Sequence, residues 1–318
     1  MPYVFFLVIC FIWGSSFILM KKATLWLSPI SVGCWRVVAG GLVLLALFWL
    51  WRQRAHVRRA DWFPLLGCIV LGFAWPYCLQ PEIIARHGSA FVGMTVGFTP
   101  LLTVLFSIPM LGILPTTRQT VGVIGALVCL GLLMWDGVQR EIPWTDVLLA
   151  FSVPATYALT NNWIRRSLMH VPPLELTLVC LLGSGLLLLP LAMAVPNTRP
   201  VVADQWAWSL AAVITLGVLG TGLSTCLFMH LVQTQGPLFA GMVTNLVPIG
   251  AILWGWADHE QVTLLQVSAV LGIVAMVSLV QFGSARPRVR PVDEDALAEI
   301  SEPVIAPQPQ LACCPEDC

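Results

Sequence analysis

Residues 88–105, GSAFVGMTVGFTPLLTVL, are apolar apart from small hydroxyl residues, glycine and one proline, and read as a membrane helix with a weak point at mid-depth. The same pattern returns 148 positions later, at residues 236–253, as GPLFAGMVTNLVPIGAIL. Gly88 falls on Gly236, Phe91 on Phe239, Gly93 on Gly241, Met94 on Met242 and Pro100 on Pro248. Membrane helices draw on a small alphabet, but a proline and two glycines in register mark the chain as two copies of one unit.

Composition sets the class. With 58% hydrophobic and 10% charged residues in 318, the chain falls far below the roughly 25% charged residues of a soluble domain and reads as an all-α polytopic membrane protein. Apolar runs long enough to cross about 30 Å of hydrocarbon are expected at 3–20, 31–51, 62–80, 89–111 and 119–135. Five more are expected at 144–163, 174–195, 206–231, 238–257 and 263–282, giving ten transmembrane helices. Trp51, Trp62, Trp135, Trp144, Trp163 and Trp206 stand at the ends of these runs, where an indole prefers the headgroup level of the lipid bilayer. The first run has no basic segment before it and no small-residue cleavage site after it, so it reads as a retained helix.

Lys and Arg orient the bundle. With a cytoplasmic N-terminus, the inner loops and tail hold Arg52, Arg54, Arg58, Arg59, Arg118, Arg165, Arg166, Arg286, Arg288 and Arg290. The outer loops then hold Lys21, Lys22, Arg86, Arg140 and Arg199, so the positive-inside rule favours both termini in the cytoplasm of the cell inner (plasma) membrane.

The repeat extends beyond the opening stretch. At an offset of 144, Trp13 meets Tyr157, Lys21 and Lys22 meet Arg165 and Arg166, and Pro29 meets Pro173. At 148, Leu71-Gly72 meets Leu219-Gly220, Cys78-Leu79 meets Cys226-Leu227, and Glu82 meets His230. An odd number of helices per unit makes the second copy enter the membrane from the opposite side. The expectation is therefore a five-plus-five inverted repeat, residues 1–136 and 142–283, followed by a disordered cytoplasmic tail at 284–318.

These residues resemble the drug/metabolite transporter superfamily, in particular bacterial members with two EamA domains. The resemblance covers residues 3–283 and rests on Trp13-Gly14-Ser15-Ser16-Phe17, Trp35-Arg36, Leu219-Gly220-Thr221-Gly222 and the stretch from Gly236 to Pro248 with Asn245. It continues through an acidic loop ending at Glu260 and Leu264-Leu265-Gln266. The chain departs from the family pattern at Leu114-Pro115-Thr116, where relatives commonly carry Gly-Glu, and at Pro76 and Pro81. The resemblance implies a carrier of small organic metabolites, often an exporter of amino acids, with its path along the repeat interface.

The residues point to a path independently. Prolines inside the spans (Pro76, Pro100, Pro154, Pro248) each free a backbone carbonyl, and the matched pair Pro100 and Pro248 is the pointer to a midplane cavity and its hinge. Gly93-x-x-x-Gly97 and Gly217-x-x-Gly220-x-Gly222 favour close helix packing over substrate contact. Polar groups within or near the spans must face protein, water or solute. The substrate-binding candidates are Trp13, Ser16, Arg36, Tyr77, Gln80, Thr95, Tyr157, Asn161, Thr221, Thr225 and Asn245, with Thr99, Asn162 and Ser224 as further polar positions. Arg36 lies inside the second span, with no arginine at its repeat position Cys180, and its fork suits a carboxylate-bearing solute. The alternative for Arg36 is snorkelling to the surface.

Glu82 and His230 are candidates for a coupled proton, though both lie near span ends. Asp136, Arg140 and Glu141, like Asp258, His259 and Glu260, read as ordinary outer loops. No phosphate loop is present, so the chain runs on gradients, not ATP. Gly183-Ser184-Gly185 with His230 as base would suggest an intramembrane protease, but a small-residue helix contact explains it better, so no enzyme activity, cofactor, metal or nucleic acid is expected. Cys313, Cys314 and Cys318 show no recognised metal spacing. The reading is a secondary transporter, monomer or homodimer, working by alternating access, the alternative being a membrane protein that binds a ligand or assembles without transporting.

Overall fold

The computed structural model describes residues 2–112, 116–139, 142–195, 206–235 and 237–282. All regular structure among them is helical. The first half holds α1 (Pro2–Ala23), α2 (Pro29–Leu50), α3 (Trp62–Gly67), α4 (Trp75–His87), α5 (Ser89–Val96), α6 (Thr99–Leu111) and α7 (Thr117–Gln139). The second holds α8 (Trp144–Ser167), α9 (Pro173–Ala194), α10 (Trp206–Thr215), α11 (Ser224–Gln235), α12 (Pro237–Ala257) and α13 (Leu264–Phe282). A π-helical segment, π1 (Cys68–Ala74), joins α3 to α4, and π2 (Leu216–Leu223) joins α10 to α11. The two begin at positions 148 apart, the same offset that relates the quoted stretches.

Local chemistry sets the ends. Ser28 caps α2, its hydroxyl accepting from the Ser31 amide, and Pro29 sits in the first turn, where a missing N–H costs nothing. Gly88 takes φ +90° between α4 and α5, and Gly112 closes α6 in the left-handed region. The stretch at 89–111 is broken after Val96, and Pro100 lies in the first turn of the new helix. Pro100 has no N–H for the Val96 carbonyl, and the Thr99 hydroxyl donates to it instead at 2.8 Å. Its counterpart α12 runs through Pro248 without a break.

Among the described residues six helical stretches are long and apolar enough to cross a membrane: Pro2–Ala23, Pro29–Leu50, Arg59–His87, Ser89–Met110, Pro173–Ala194 and Trp206–Leu231. Shorter apolar helices accompany them in α7, α12 and α13. The chain is a multi-pass membrane protein. In α8 Asp146, Asn161, Asn162, Arg165 and Arg166 dilute the apolar run.

Helices at equivalent places in the halves pair with each other. A side chain at Gly41 would meet Leu182 and one at Gly185 would meet Val38, so α2 and α9 run antiparallel. Gly125 meets Met276 and Gly272 meets Cys129, so α7 and α13 do too. Elsewhere Gly14 of α1 lies on Gly250 of α12, and Gly40 of α2 lies on Gly217 and Gly222 of π2, backbone against backbone. An apolar cluster of Met20, Ala23, Ile83, Ile84, Phe91 and Val92 fills the end of the bundle where α1 finishes.

Candidate functional site

A cavity of about 130 Å³ lies among α1, α2, α4, α8, α11 and α12, with room for on the order of ten waters, the scale of a small organic solute. Its wall combines Trp13, Phe17, Phe73, Tyr77, Tyr157 and Phe228 with the polar groups of Ser16, Arg36, Gln80, Thr99, Thr160, Asn161, Thr225 and Thr244.

Two glycine contacts place Arg36. A side chain at Gly217 would come within 2.8 Å of the Arg36 carbonyl, so only glycine lets α2 lie directly on π2. One turn earlier, the Tyr77 carbonyl, deprived of a helical partner by Pro81, sits where a Cβ on Gly33 would be 2.1 Å away. With α2 clamped on both sides, the Arg36 Nε donates to Thr221 Oγ1 at 3.0 Å, its Nη1 reaches the Met20 sulfur at 3.1 Å, and its Cζ stands 4.1 Å over the Tyr77 ring. Arg36 is 4% exposed, and no carboxylate pairs with it among the described residues. Two of its five N–H groups meet protein acceptors, one of them a thioether. Snorkelling is not its solution; it turns inward.

π2 shapes its acceptor. The Thr221 hydroxyl bonds back to the Leu216 carbonyl five residues earlier at 3.1 Å and accepts from Arg36. Trp13 Nε1 donates to Ser224 Oγ at 2.9 Å, tying α1 to the start of α11. Thr160 Oγ1, buried in the wall, has no protein hydrogen-bond partner.

Among the sequence-derived candidates, Trp13, Ser16, Arg36, Tyr77, Gln80, Tyr157, Asn161 and Thr225 line this cavity. Thr221 stands one shell behind, holding Arg36. Thr95 is buried off the wall, its hydroxyl donated to the Val92 carbonyl. Pro248 packs against Gly97, next to the helix break that Pro100 opens. The side chain of Asn245 lies outside the described residues, as do those of Phe239, Gly241 and Met242. Gly236, Arg140, Glu141, Arg199, Leu114, Pro115 and the tail from 283, with its three cysteines, also lie outside them. Phe73, Thr160, Phe228 and Met229 belong to the wall without having been singled out; the only signal was the position of Thr160 beside Asn161.

Glu82 pairs with Arg86, and His230 is exposed, its ring edge-on to Phe5; neither lines the cavity. Ser184 gives its proton to the Cys180 and Ile69 carbonyls. The loops expected to be ordinary are structural instead. Asp136 lies buried inside α7 and accepts from Thr263 and Gln266, and Glu260 accepts from Lys21, from the Ser89 hydroxyl and from the Ser89 and Ala90 amides, capping α5. The start of α5 is buried and its free amides need such an acceptor, which is why Glu260 folds inward.

Apolar helices of membrane length around a buried polar cavity define a multi-pass membrane transporter. The chain belongs to the EamA-like transporter family, whose two copies match residues 1–135 and 144–282. It is 25% identical to the uncharacterized transporter YwfM of Bacillus subtilis (strain 168), over 92% of this chain and 96% of that one. It is 24% identical to an S-adenosylmethionine/S-adenosylhomocysteine transporter of Chlamydia trachomatis serovar L2, over 77% and 78%. The uncharacterized inner membrane transporter YedA of Escherichia coli (strain K12) is 24% identical over 91% of this chain and 94% of that one. A solved crystal structure shares the fold at a TM-score of 0.62 and 19% identity, over 87% of this chain and 95% of that one.

Proposed function

We propose that this protein is a secondary active transporter of small carboxylate-bearing metabolites, amino-acid-like solutes above all, that exports them by alternating access through the cavity. The observation that carries the reading is Arg36, a buried guanidinium at the cavity with no carboxylate pairing with it among the described residues. A buried cation left unpaired is costly, and a solute carboxylate would supply the missing bidentate partner. The aromatic wall and the unpartnered Thr160 hydroxyl suit an organic body with one further polar group. S-adenosylmethionine, named for one relative, is itself an amino acid with a free carboxylate and is a solute to test.

Ten spans in two inverted halves, 1–136 and 142–283, with both termini cytoplasmic, are the frame of this mechanism. The antiparallel pairing of α2 with α9 and of α7 with α13 supports the inversion. Counterflow in proteoliposomes tests the whole reading: labelled amino acids should accumulate transiently against an unlabelled pool, and solutes lacking a carboxylate should not. Saturable binding without exchange would overturn transport. Metabolites retained by cells lacking the protein, compared with cells overproducing it, identify the solute.

A further inference from the structure

Most of the cavity wall is built twice. The wall residues of α1, from Trp13 to Met20, recur at the offset of 144 as those of α8, from Tyr157 to Ile164, and Gly72 of π1 recurs at 148 as Gly220 of π2. At three wall positions an amide or guanidinium has an apolar counterpart instead. Arg36 falls on Cys180, Asn161 on Phe17 and Gln80 on Phe228. A scaffold shared by both halves needs none of these three polar groups, so each has a local reason.

Gln80 finds its reason inside the protein, for its amide engages Tyr157 across the cavity. Asn162, next to Asn161, spends its NH2 on the Thr103 carbonyl at 2.9 Å and the Ala158 carbonyl at 3.0 Å. The side-chain amide of Asn161 has no hydrogen-bond partner among the described residues, although it sits half-buried on the cavity wall in the middle of a membrane bundle. An amide at that depth has to be satisfied by protein, water or solute. Tyr157, four residues earlier and so on the same face of α8, lies within electrostatic reach of Arg36, which brings this face of α8 and the guanidinium to one region of the cavity.

Arg36 offers donors alone, and no Asp or Glu lines the cavity among the described residues. A solute amino group therefore needs an acceptor that is not a carboxylate. We propose that Asn161 is a specificity-determining residue whose Oδ1 accepts a hydrogen bond from the amino group of a solute held by its carboxylate at Arg36, so that the cavity prefers amino acids to simple carboxylic acids. The proposal rests on the carboxylate reading of Arg36 and adds the second point of attachment. A site that leaves a polar group unpaired when the solute lacks its partner discriminates strongly against that solute.

Thermal shift and titration calorimetry on the full chain in detergent test it, with the standard amino acids as probes, each beside the carboxylic acid that lacks its amino group. Wild-type protein should bind its best amino acid about tenfold or more tighter than the matching acid. Asn161→Leu keeps the volume and removes the amide, so it should weaken the amino acid by about that factor, leave the matching acid nearly unchanged and erase the preference. Asn161→Ala should do the same, which covers a folding failure of the leucine form. A loss shared equally by both probes, or a preference that survives both substitutions in well-folded protein, overturns the role of Asn161. The two readings fail separately: wild-type protein that binds carboxylic acids with no preference for the amino group sinks the Asn161 contact alone, whereas wild-type protein that binds neither member of any pair sinks the carboxylate reading.

Discussion

The Ser184 hydroxyl donates to the Ile69 carbonyl at 3.2 Å, and at the equivalent place in the other half Gly40 lies bare over the Gly217 carbonyl. One contact between a helix and a π segment is thus built twice, once with a hydroxyl and once with no side chain at all. A π turn leaves carbonyls poorly paired, and each half has its own answer. The glycine version brings α2 close enough for Arg36 to reach Thr221.

Gly40→Ala should therefore be costly. Its Cβ would stand 2.8 Å from the Gly217 oxygen and 3.0 Å from the Gly222 nitrogen, both backbone atoms that cannot turn aside. We expect a loss of roughly 1–3 kcal/mol, seen as a lower thermal midpoint in detergent. Gly131→Ala in α7, where nothing lies within 4 Å, should lose nothing. Equal losses at both positions would remove the close-approach argument.

Acid should weaken the Lys21 end. Burial pushes the Asp258 and Glu260 carboxyls up, but Lys21 and Lys22 at Asp258, and Lys21 with the Ser89 and Ala90 donors at Glu260, outweigh it and hold both below their ordinary values of 3.8 and 4.5. A carboxyl whose folded value is lowered stabilises fully above its unfolded value and loses that contribution as pH falls through the folded one. The thermal midpoint should hold from neutral pH down to about pH 5 and fall below it. Asp258→Asn should start lower at neutral pH and lose less on acidification. Parallel profiles for the two proteins would contradict the pair.

Much of this was legible in the sequence, and the limits are physical. A charged or amide group in an apolar span has to be satisfied somewhere, so Arg36, Gln80 and Asn161 pointed to the cavity by chemistry alone. A threonine carries weaker information because its hydroxyl can bond its own helix, as Thr95 does to Val92. Phe73 and Phe228 were invisible, since aromatic residues facing lipid and facing solute are spelled alike. The role of Glu260 was hidden because it looks solvated in the sequence until the start of α5 is seen against it.

Thr99 carries both the helix break and part of the wall. Its hydroxyl takes the Val96 carbonyl that Pro100 cannot serve. Thr99→Val keeps the shape and strands that carbonyl, so stability should drop by about 1–3 kcal/mol, while Thr99→Ser should retain most of it. A serine form as unstable as the valine form would show that the methyl, not the hydrogen bond, matters.

Arg36 decides the chemistry of the site. It gives two N–H groups to Thr221 and Met20, lines the cavity and stacks on Tyr77. Burying an arginine in a membrane protein costs at least about 2.5–3.5 kcal/mol on insertion scales, so Arg36→Ala and Arg36→Lys should reach the membrane at normal levels. Transport should fall, because a hydrogen bond between charged groups contributes about 1.5–3 kcal/mol, or roughly 10- to 100-fold in rate at low solute. Lysine keeps the charge and loses the planar fork, so partial activity in Arg36→Lys would mean that charge suffices, and none would mean that bidentate geometry is read. Solutes without a carboxylate should be indifferent to the change. Wild-type counterflow of amino acids by Arg36→Ala at normal membrane levels would take this residue out of the site and, with it, the case for an anionic group on the solute.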